Sequence, residues 1–324
     1  MMDFDFSPTT RLGVIGAGSM GAGIAQVASQ AGHDVHLFDL APGAAAKAID
    51  RIEADLDQAV KRGRMTTDQR AAISQRLHPT ERLADLEGCG LAIEAIVERL
   101  EPKQALFRDL EAVLGENAAL ATNTSSISVT AIAFGLKRPG RVVGWHFFNP
   151  ATRMKLVEII PGVETDPALV AAMRALSLAW GKTAVDAPNA PGFIVNRVAR
   201  PYYAEAFRLL GEQIAIAPAI DRLLREAGGF AMGPFELTDL IGQDVNLSVT
   251  ESVFQATAYD PRFAPHLIQQ ELVRAGLLGR KSGRGFYAYG GEAAAAGVSL
   301  VAPAASASPL SRATDAGLDV CCAR

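Results

Sequence analysis

Three glycines, at positions 16, 18 and 21, constrain this chain more than any other feature. They lie in RLGVIGAGSMGAGIAQVASQAGHDVHLFD, residues 11–39. The apolar run 12–15 predicts a buried strand, which breaks at Gly16-Ala17-Gly18-Ser19-Met20-Gly21. Residues 20–31 then continue at helical spacing, and 33–38 reads as a second strand that ends on Asp39. Strand, glycine turn, helix, strand and acid, in that order, make a dinucleotide-binding βαβ unit. Gly16 allows the tight turn, Gly18 lets a pyrophosphate approach the backbone, and Gly21 lets the helix lie close to the strand. The helix start at Ser19 and Met20 leaves N–H groups facing the phosphates. Asp39 can accept both ribose hydroxyls and would repel a 2′-phosphate. No Arg or Lys follows it (Leu40-Ala41-Pro42), so NAD is expected rather than NADP.

A chain of 324 residues suits two domains. Its hydrophobic content of 49% is enough for a real core. A net charge of -4 gives no reason to expect nucleic acid or an anionic membrane as partner. No apolar run approaches the ~20 residues that span a bilayer, and residues 1–10 do not have the pattern of a secretory signal. The three cysteines (Cys89, Cys321, Cys322) and the histidines show no metal-ligand spacing, so no metal is expected and a cytoplasmic setting is the default.

Beyond Asp39, residues 42–77 read as helix with a basic end at Lys61, Arg62 and Arg64, either a solvated face or cations offered to a phosphorylated ligand. A third strand, 91–96, leads to Glu98 and a helix over 102–114 that carries Lys103. Ligands gather outside the carboxyl ends of strands in a doubly wound sheet, which places both near a cofactor. A strand at 119–122 runs into Asn123-Thr124-Ser125-Ser126, where Ser125 reads equally as a helix cap or a chemical group. The strand 142–146 ends on His146. The strand 156–160 carries Glu158 on one defined face, where a carboxylate could orient the imidazole and support its protonated form. A helix over 167–180 and a strand over 183–185 complete this part. The turn Pro188-Asn189-Ala190-Pro191-Gly192 marks a boundary. Helices then follow at 193–211, 217–227, 234–241, 245–257 and 265–275. Asn196, one turn in, can face a ligand or hydrogen-bond the linker. The fold class is therefore α/β, a Rossmann-like doubly wound domain (10–188) followed by a smaller all-α domain (189–289). Residues 290–324, rich in Ala, Ser and Gly, read as a low-complexity tail or linker without order of its own.

The motifs VIGAGSMGAGIAQ, IEAIVERLEPK, ATNTSS, GWHFFNPATRMKLVEII, APGFIVNR, MGPFELTDLIG and KSGRGFYAY resemble those of the L-3-hydroxyacyl-CoA dehydrogenases. That family includes bacterial 3-hydroxybutyryl-CoA dehydrogenases and enzymes of phenylacetate degradation. The likeness covers roughly 10–289. It implies an NAD-binding domain joined to a helical domain that mediates homodimerisation, with an acyl-CoA thioester bound between them. It implies that His146 is the base and Glu158 its orienting partner, with Ser125 and Asn196 holding the substrate. Asp39, Glu98, Lys103, Ser125 and Asn149 would contact NAD, and Lys61 and Arg64 are candidates for CoA. Longer members continue into a linker and a second, partial helical domain, and 290–324 resembles such a linker. The gulonate dehydrogenase/λ-crystallin relatives carry an arginine shortly before the Gly-Pro turn, where this chain has Gly228-Gly229-Phe230. The β-hydroxyacid dehydrogenases use a lysine four residues before the asparagine, and Gly192 stands there. A non-catalytic NAD-binding protein, the remaining alternative, would not need both His146 and Glu158.

Overall fold

The computed structural model describes residues 4–289; the expected tail at 290–324, with Cys321 and Cys322, lies outside the described residues. The chain divides into two compact units after Arg197. The turn at 188–192 and Asn196 thus fall in the first.

The first unit is built on an eight-stranded sheet. Its strands are β1 (Leu12–Ile15), β2 (Val35–Phe38), β3 (Leu77–Thr80), β4 (Leu91–Glu94), β5 (Ala119–Thr122), β6 (Val142–Phe147), β7 (Leu156–Pro161) and β8 (Thr183–Asp186). They lie in the order β3-β2-β1-β4-β5-β6-β7-β8. Every neighbouring pair is parallel except β6 with β7. Between the strands run α1 (Ser19–Gln30), α2 (Ala44–Lys61), α3 (Thr67–Ser74), α4 (Leu100–Val113), α5 (Val129–Ala133) and α6 (Pro167–Ala179).

Adjacent strand residues point to opposite faces, and here both faces are covered. Val14, Leu37, Ile93 and Val143 join one apolar cluster, while Ile15, Phe38, Ala92 and Val142 join the other. That is why the central strands read as continuous apolar runs. The strand order reverses between β1 and β4, and the ends of β1, β4, β5 and β6 open on one edge of the sheet.

The reading of 42–77 as one helix needs correction. The chain turns at Gly63, whose φ of +69° is left-handed, and restarts at Thr66. Thr66 and Gln69 form a reciprocal capping box for α3. Residues Leu77–Thr80 are an edge strand. Its Leu-His-Pro-Thr sequence has neither alternation nor a continuous apolar run, and Pro79 suits an edge.

The second unit is helical. α7 (Val195–Gly211) leads into it, followed by α8 (Ala217–Glu226), α9 (Pro234–Ile241), α10 (Gln243–Ala256) and α11 (Leu267–Arg274). Tyr203, Phe207, Leu210, Ile220, Phe235 and Phe286 lie in its core. The closing segment is pinned by buried Asp239. One carboxylate oxygen accepts the N–H of Phe286 at 3.0 Å, and the other accepts the N–H of Tyr287 and the hydroxyl of Tyr289, both at 3.0 Å. A Cβ at Gly285 would stand 2.0 Å from Asp239 Oδ1, which is why a glycine is needed in that turn.

Candidate active site

The glycine turn meets its structural demands at two of its three positions. Gly16 has φ +104°, and a Cβ there would lie 2.4 Å from the Ala95 carbonyl oxygen. At Gly21 a Cβ would lie 1.7 Å from the carbonyl oxygen of Gly16, so the constraint is the turn's own backbone. At Gly18 nothing of the protein lies within 4 Å of a Cβ. The space is left open, as a cradle for a ligand requires. Gly18 is also the cap of α1, and no side chain caps that helix start, which carries Ser19 and Met20. Its N–H groups therefore remain an anion site.

Beside this turn lies a pocket of about 710 Å³ lined by Gly16, Gly18, Phe38, Asp39, Leu40 and Ile96 among others. Asp39 stands just past β2. One carboxylate oxygen accepts the N–H of Ala17 at 2.7 Å and the other that of Ala41 at 2.9 Å. Each oxygen keeps a lone pair for a ribose hydroxyl. A mostly apolar pocket with one fixed carboxylate and an uncapped helix start fits the adenosine and pyrophosphate of NAD.

At the ends of β4 and β5 a second cluster forms. Lys103 on α4 is buried, its ammonium 2.6 Å from Glu94 Oε1 and 3.2 Å from Glu98 Oε2. Glu94 Oε2 accepts the Thr122 hydroxyl at 2.7 Å. Glu98 Oε1 accepts the Thr124 hydroxyl and the Ser125 N–H, both at 2.7 Å, and the Ser125 hydroxyl at 3.1 Å. Burial pushes the Glu98 carboxyl up. Lys103 and the donors from Thr124 and Ser125 outweigh that, holding it below the ordinary carboxylate value. The structure therefore groups Glu98, Lys103 and Ser125, with Lys103 underneath Glu98 as its counter-ion.

The third cluster follows from sheet register. His146 on β6 and Glu158 on antiparallel β7 are directly opposed. His146 Nδ1 lies 2.7 Å from Glu158 Oε2. A carboxylate only accepts, so Nδ1 carries the proton and Nε2 is left as the basic nitrogen. Burial raises the Glu158 carboxyl, but the His146 hydrogen bond and the N–H groups of Val195 and Ile194 win, and it stays below its ordinary value. The rings of Phe148 and Phe193 flank the imidazole, with centroids 4.6 and 5.8 Å away.

Among the remaining candidates, Asn149 Oδ1 receives the Ser19 hydroxyl at 3.5 Å, which links the end of β6 to the start of α1. Asn196 is the second residue of α7 and is half-buried. Lys61 and Arg64 are exposed at the α2–α3 turn, and their side chains make no ion pair among the described residues. Sequence reasoning missed Glu94 and the main-chain groups of Ile194 and Val195. The first was detectable as an acid inside an otherwise apolar strand; backbone donors leave no signal in side-chain identity.

Residues 11–190 match the family model described as 3-hydroxyacyl-CoA dehydrogenase, NAD binding domain, and residues 192–289 the corresponding C-terminal domain. The chain is 52% identical over 297 residues to the 3-hydroxyadipyl-CoA dehydrogenase of Escherichia coli K12, covering 92% of this chain and 62% of that one. It thus spans less than two thirds of that relative's length. It is 39% identical to a probable 3-hydroxybutyryl-CoA dehydrogenase of Bacillus subtilis, covering 85% of this chain and 96% of the relative. The crystal structure of (S)-3-hydroxybutyryl-CoA dehydrogenase from Ralstonia eutropha superposes with a TM-score of 0.83 at 37% identity, over 87% of this chain and all (100%) of that one.

Proposed function

The chain belongs to the 3-hydroxyacyl-CoA dehydrogenase family, and from that premise we propose that it reversibly oxidises the 3-hydroxyl of an L-3-hydroxyacyl-CoA to the 3-ketone. The observation that carries the reading is the 2.7 Å contact between His146 Nδ1 and Glu158, which leaves Nε2 as a base of fixed orientation. NAD, when bound, supplies the hydride acceptor. Gly16, Gly18, Ser19, Met20 and Gly21 would hold its pyrophosphate and Asp39 its ribose. Glu98, Ser125 and Asn149 complete that side, and Lys103 acts through Glu98.

His146 Nε2 takes the hydroxyl proton as the alcohol is oxidised, while Nδ1–H stays on Glu158 and the carboxylate stabilises the imidazolium that forms. In the reverse direction the same nitrogen returns the proton. Ser125 donates its own proton to Glu98, so its oxygen presents lone pairs to the reacting hydroxyl. Ser125 and Asn196 fix that oxygen in line, which matters because reaction depends steeply on near-attack geometry. Phe148 and Phe193 keep water from the imidazole. Lys61 and Arg64, both exposed, would serve as the cations for the CoA phosphates.

The family resemblance supports a homodimer formed through the helical unit, which light scattering on the purified chain would test. The sparse cysteine use favours a cytoplasmic setting. Among the described residues no helix is long and apolar enough to cross a membrane.

Acetoacetyl-CoA and NADH, followed by absorbance, test the reaction. Turnover is expected to fall about 10²–10⁴-fold in His146→Gln with NADH binding retained. Near-full turnover in that variant would refute the assignment. Running 3-oxoadipyl-CoA, free acetoacetate and gulonate in parallel establishes whether the thioester and a distal carboxylate are read.

A further inference from the structure

The carboxylate that faces His146 is also gripped from its far side by the main chain. Glu158 Oε1 accepts the N–H groups of Ile194 and Val195 at 2.9 and 3.0 Å, while Oε2 is committed to the imidazole. The Val195 amide opens α7 and that of Ile194 immediately precedes it, where helix geometry leaves N–H groups without an intrahelical partner. The chain arrives there through Gly192 at φ +73° and Phe193 at φ +48°. Glycine adopts that region freely, whereas a bulky aromatic does so only when its surroundings over-determine it. They do so here. The Phe193 N–H donates to the Ala190 carbonyl at 2.8 Å, and its ring is 2% exposed and meets the His146 ring at 61°.

We propose that Ile194 and Val195, through their main-chain N–H groups, are positioning residues of the proton-transfer pair, and that they set how strongly Glu158 supports the protonated imidazole. The inference rests on His146 being the base. A carboxylate shares its negative charge among its donors. Two N–H groups on Oε1 draw charge from the oxygen that faces His146 and so temper the carboxylate's pull on the imidazole proton. Without them Glu158 would favour the imidazolium more strongly. Among the described residues neither group has another ion-pair partner. The other flanking groups, Phe148 and Phe193, carry no charge.

Val195→Pro tests this, because proline at the first helical position keeps the helix start and deletes only the N–H. Two quantities are measured: the pH dependence of kcat/KM with acetoacetyl-CoA and 3-hydroxybutyryl-CoA, and the ¹⁵N titration of the His146 ring, assigned with His146→Gln. Losing one donor to a charged group should move both the oxidative acid limb and the ring titration to higher pH by about half a unit or more. If proline prevents folding, an ester at the 194–195 linkage removes the same N–H and should give the same direction. A helix start with a merely structural role would lower kcat without moving either midpoint. Unshifted midpoints together with lost turnover in His146→Gln overturn this inference alone. Full turnover in His146→Gln overturns the proposed function instead.

Discussion

The ammonium of Lys103 lies 2.6 Å from a carboxylate oxygen of Glu94, with the two side chains 1% and 0% exposed. The pair is therefore sealed from water, and further hydrogen bonds hold it in place. Glu94 also accepts the N–H of Ile96 at 2.7 Å and the Thr122 hydroxyl, and Lys103 extends to Glu98. Since Glu98 in turn holds Thr124 and Ser125, one buried cation joins the ends of β4 and β5 to the Ser125 loop. Its influence on any ligand passes through Glu98.

Removing one member of such a pair leaves the other as an uncompensated buried charge. Lys103→Met should cost about 3–5 kcal/mol of unfolding free energy, read from urea midpoints. The double variant Lys103→Met/Glu94→Leu should recover a substantial part of that loss. A single variant within about 1 kcal/mol of the wild type would show that Lys103 is not the counter-ion of this cluster.

Glu98 gives the cluster a pH dependence of known sign. Its carboxyl is held below the ordinary value of about 4.3 in the folded chain. It therefore favours folding above that value, and the benefit is lost as pH falls through the depressed value. The wild type should be the more stable to urea at pH 7. Its advantage over Glu98→Gln should shrink below about pH 4.3. A constant gap from pH 7 to pH 3 would contradict the arrangement.

What the sequence revealed here, and what it hid, follow physical lines. The strands of the first unit were legible where burial on both faces made them uniformly apolar, as at 12–15 and 119–122. β3 was not, because an edge strand carrying His78 and Pro79 has no pattern to show. The His146–Glu158 pair could be suspected from strand ends and spacing, but its contact depends on the antiparallel register of β6 and β7, which no local pattern encodes. Its position after β4 placed Lys103 near a cofactor, but its burial was not legible, because a lysine in the first turn of a helix is usually exposed. Only the tertiary position of Glu94 buries it.

Glu158→Gln removes the charge that supports the imidazolium and leaves one acceptor where two are used. Its amide oxygen can serve Nδ1–H or the N–H groups of Ile194 and Val195 but not both. kcat for the oxidation should fall at least about tenfold with KM for the thioester little changed, since a transition-state charge interaction is removed. Unchanged kcat would mean that the carboxylate serves packing alone. Steady-state kinetics at a pH well above the limb decides it.

Gly18 and Gly21 lie in the same turn, yet they should respond oppositely to alanine. At Gly21 the added Cβ would lie 1.7 Å from the Gly16 carbonyl oxygen, so backbone must move, and Gly21→Ala should unfold at distinctly lower urea. At Gly18 the backbone sits at φ -68° and ψ -174°, which alanine adopts without strain, and no protein atom lies within 4 Å of the new methyl. Replacing glycine at such a position reduces the freedom of the unfolded chain and is expected to add about 0.4–1 kcal/mol to stability. The methyl nevertheless enters the space a pyrophosphate would occupy against the start of α1. Gly18→Ala should therefore be as stable as the wild type or more so, while its NADH affinity, read by fluorescence, falls about tenfold or further. Intact NADH binding in that variant would mean that the dinucleotide does not lie against this turn, and the assignment of the pocket beside Asp39 would fail with it.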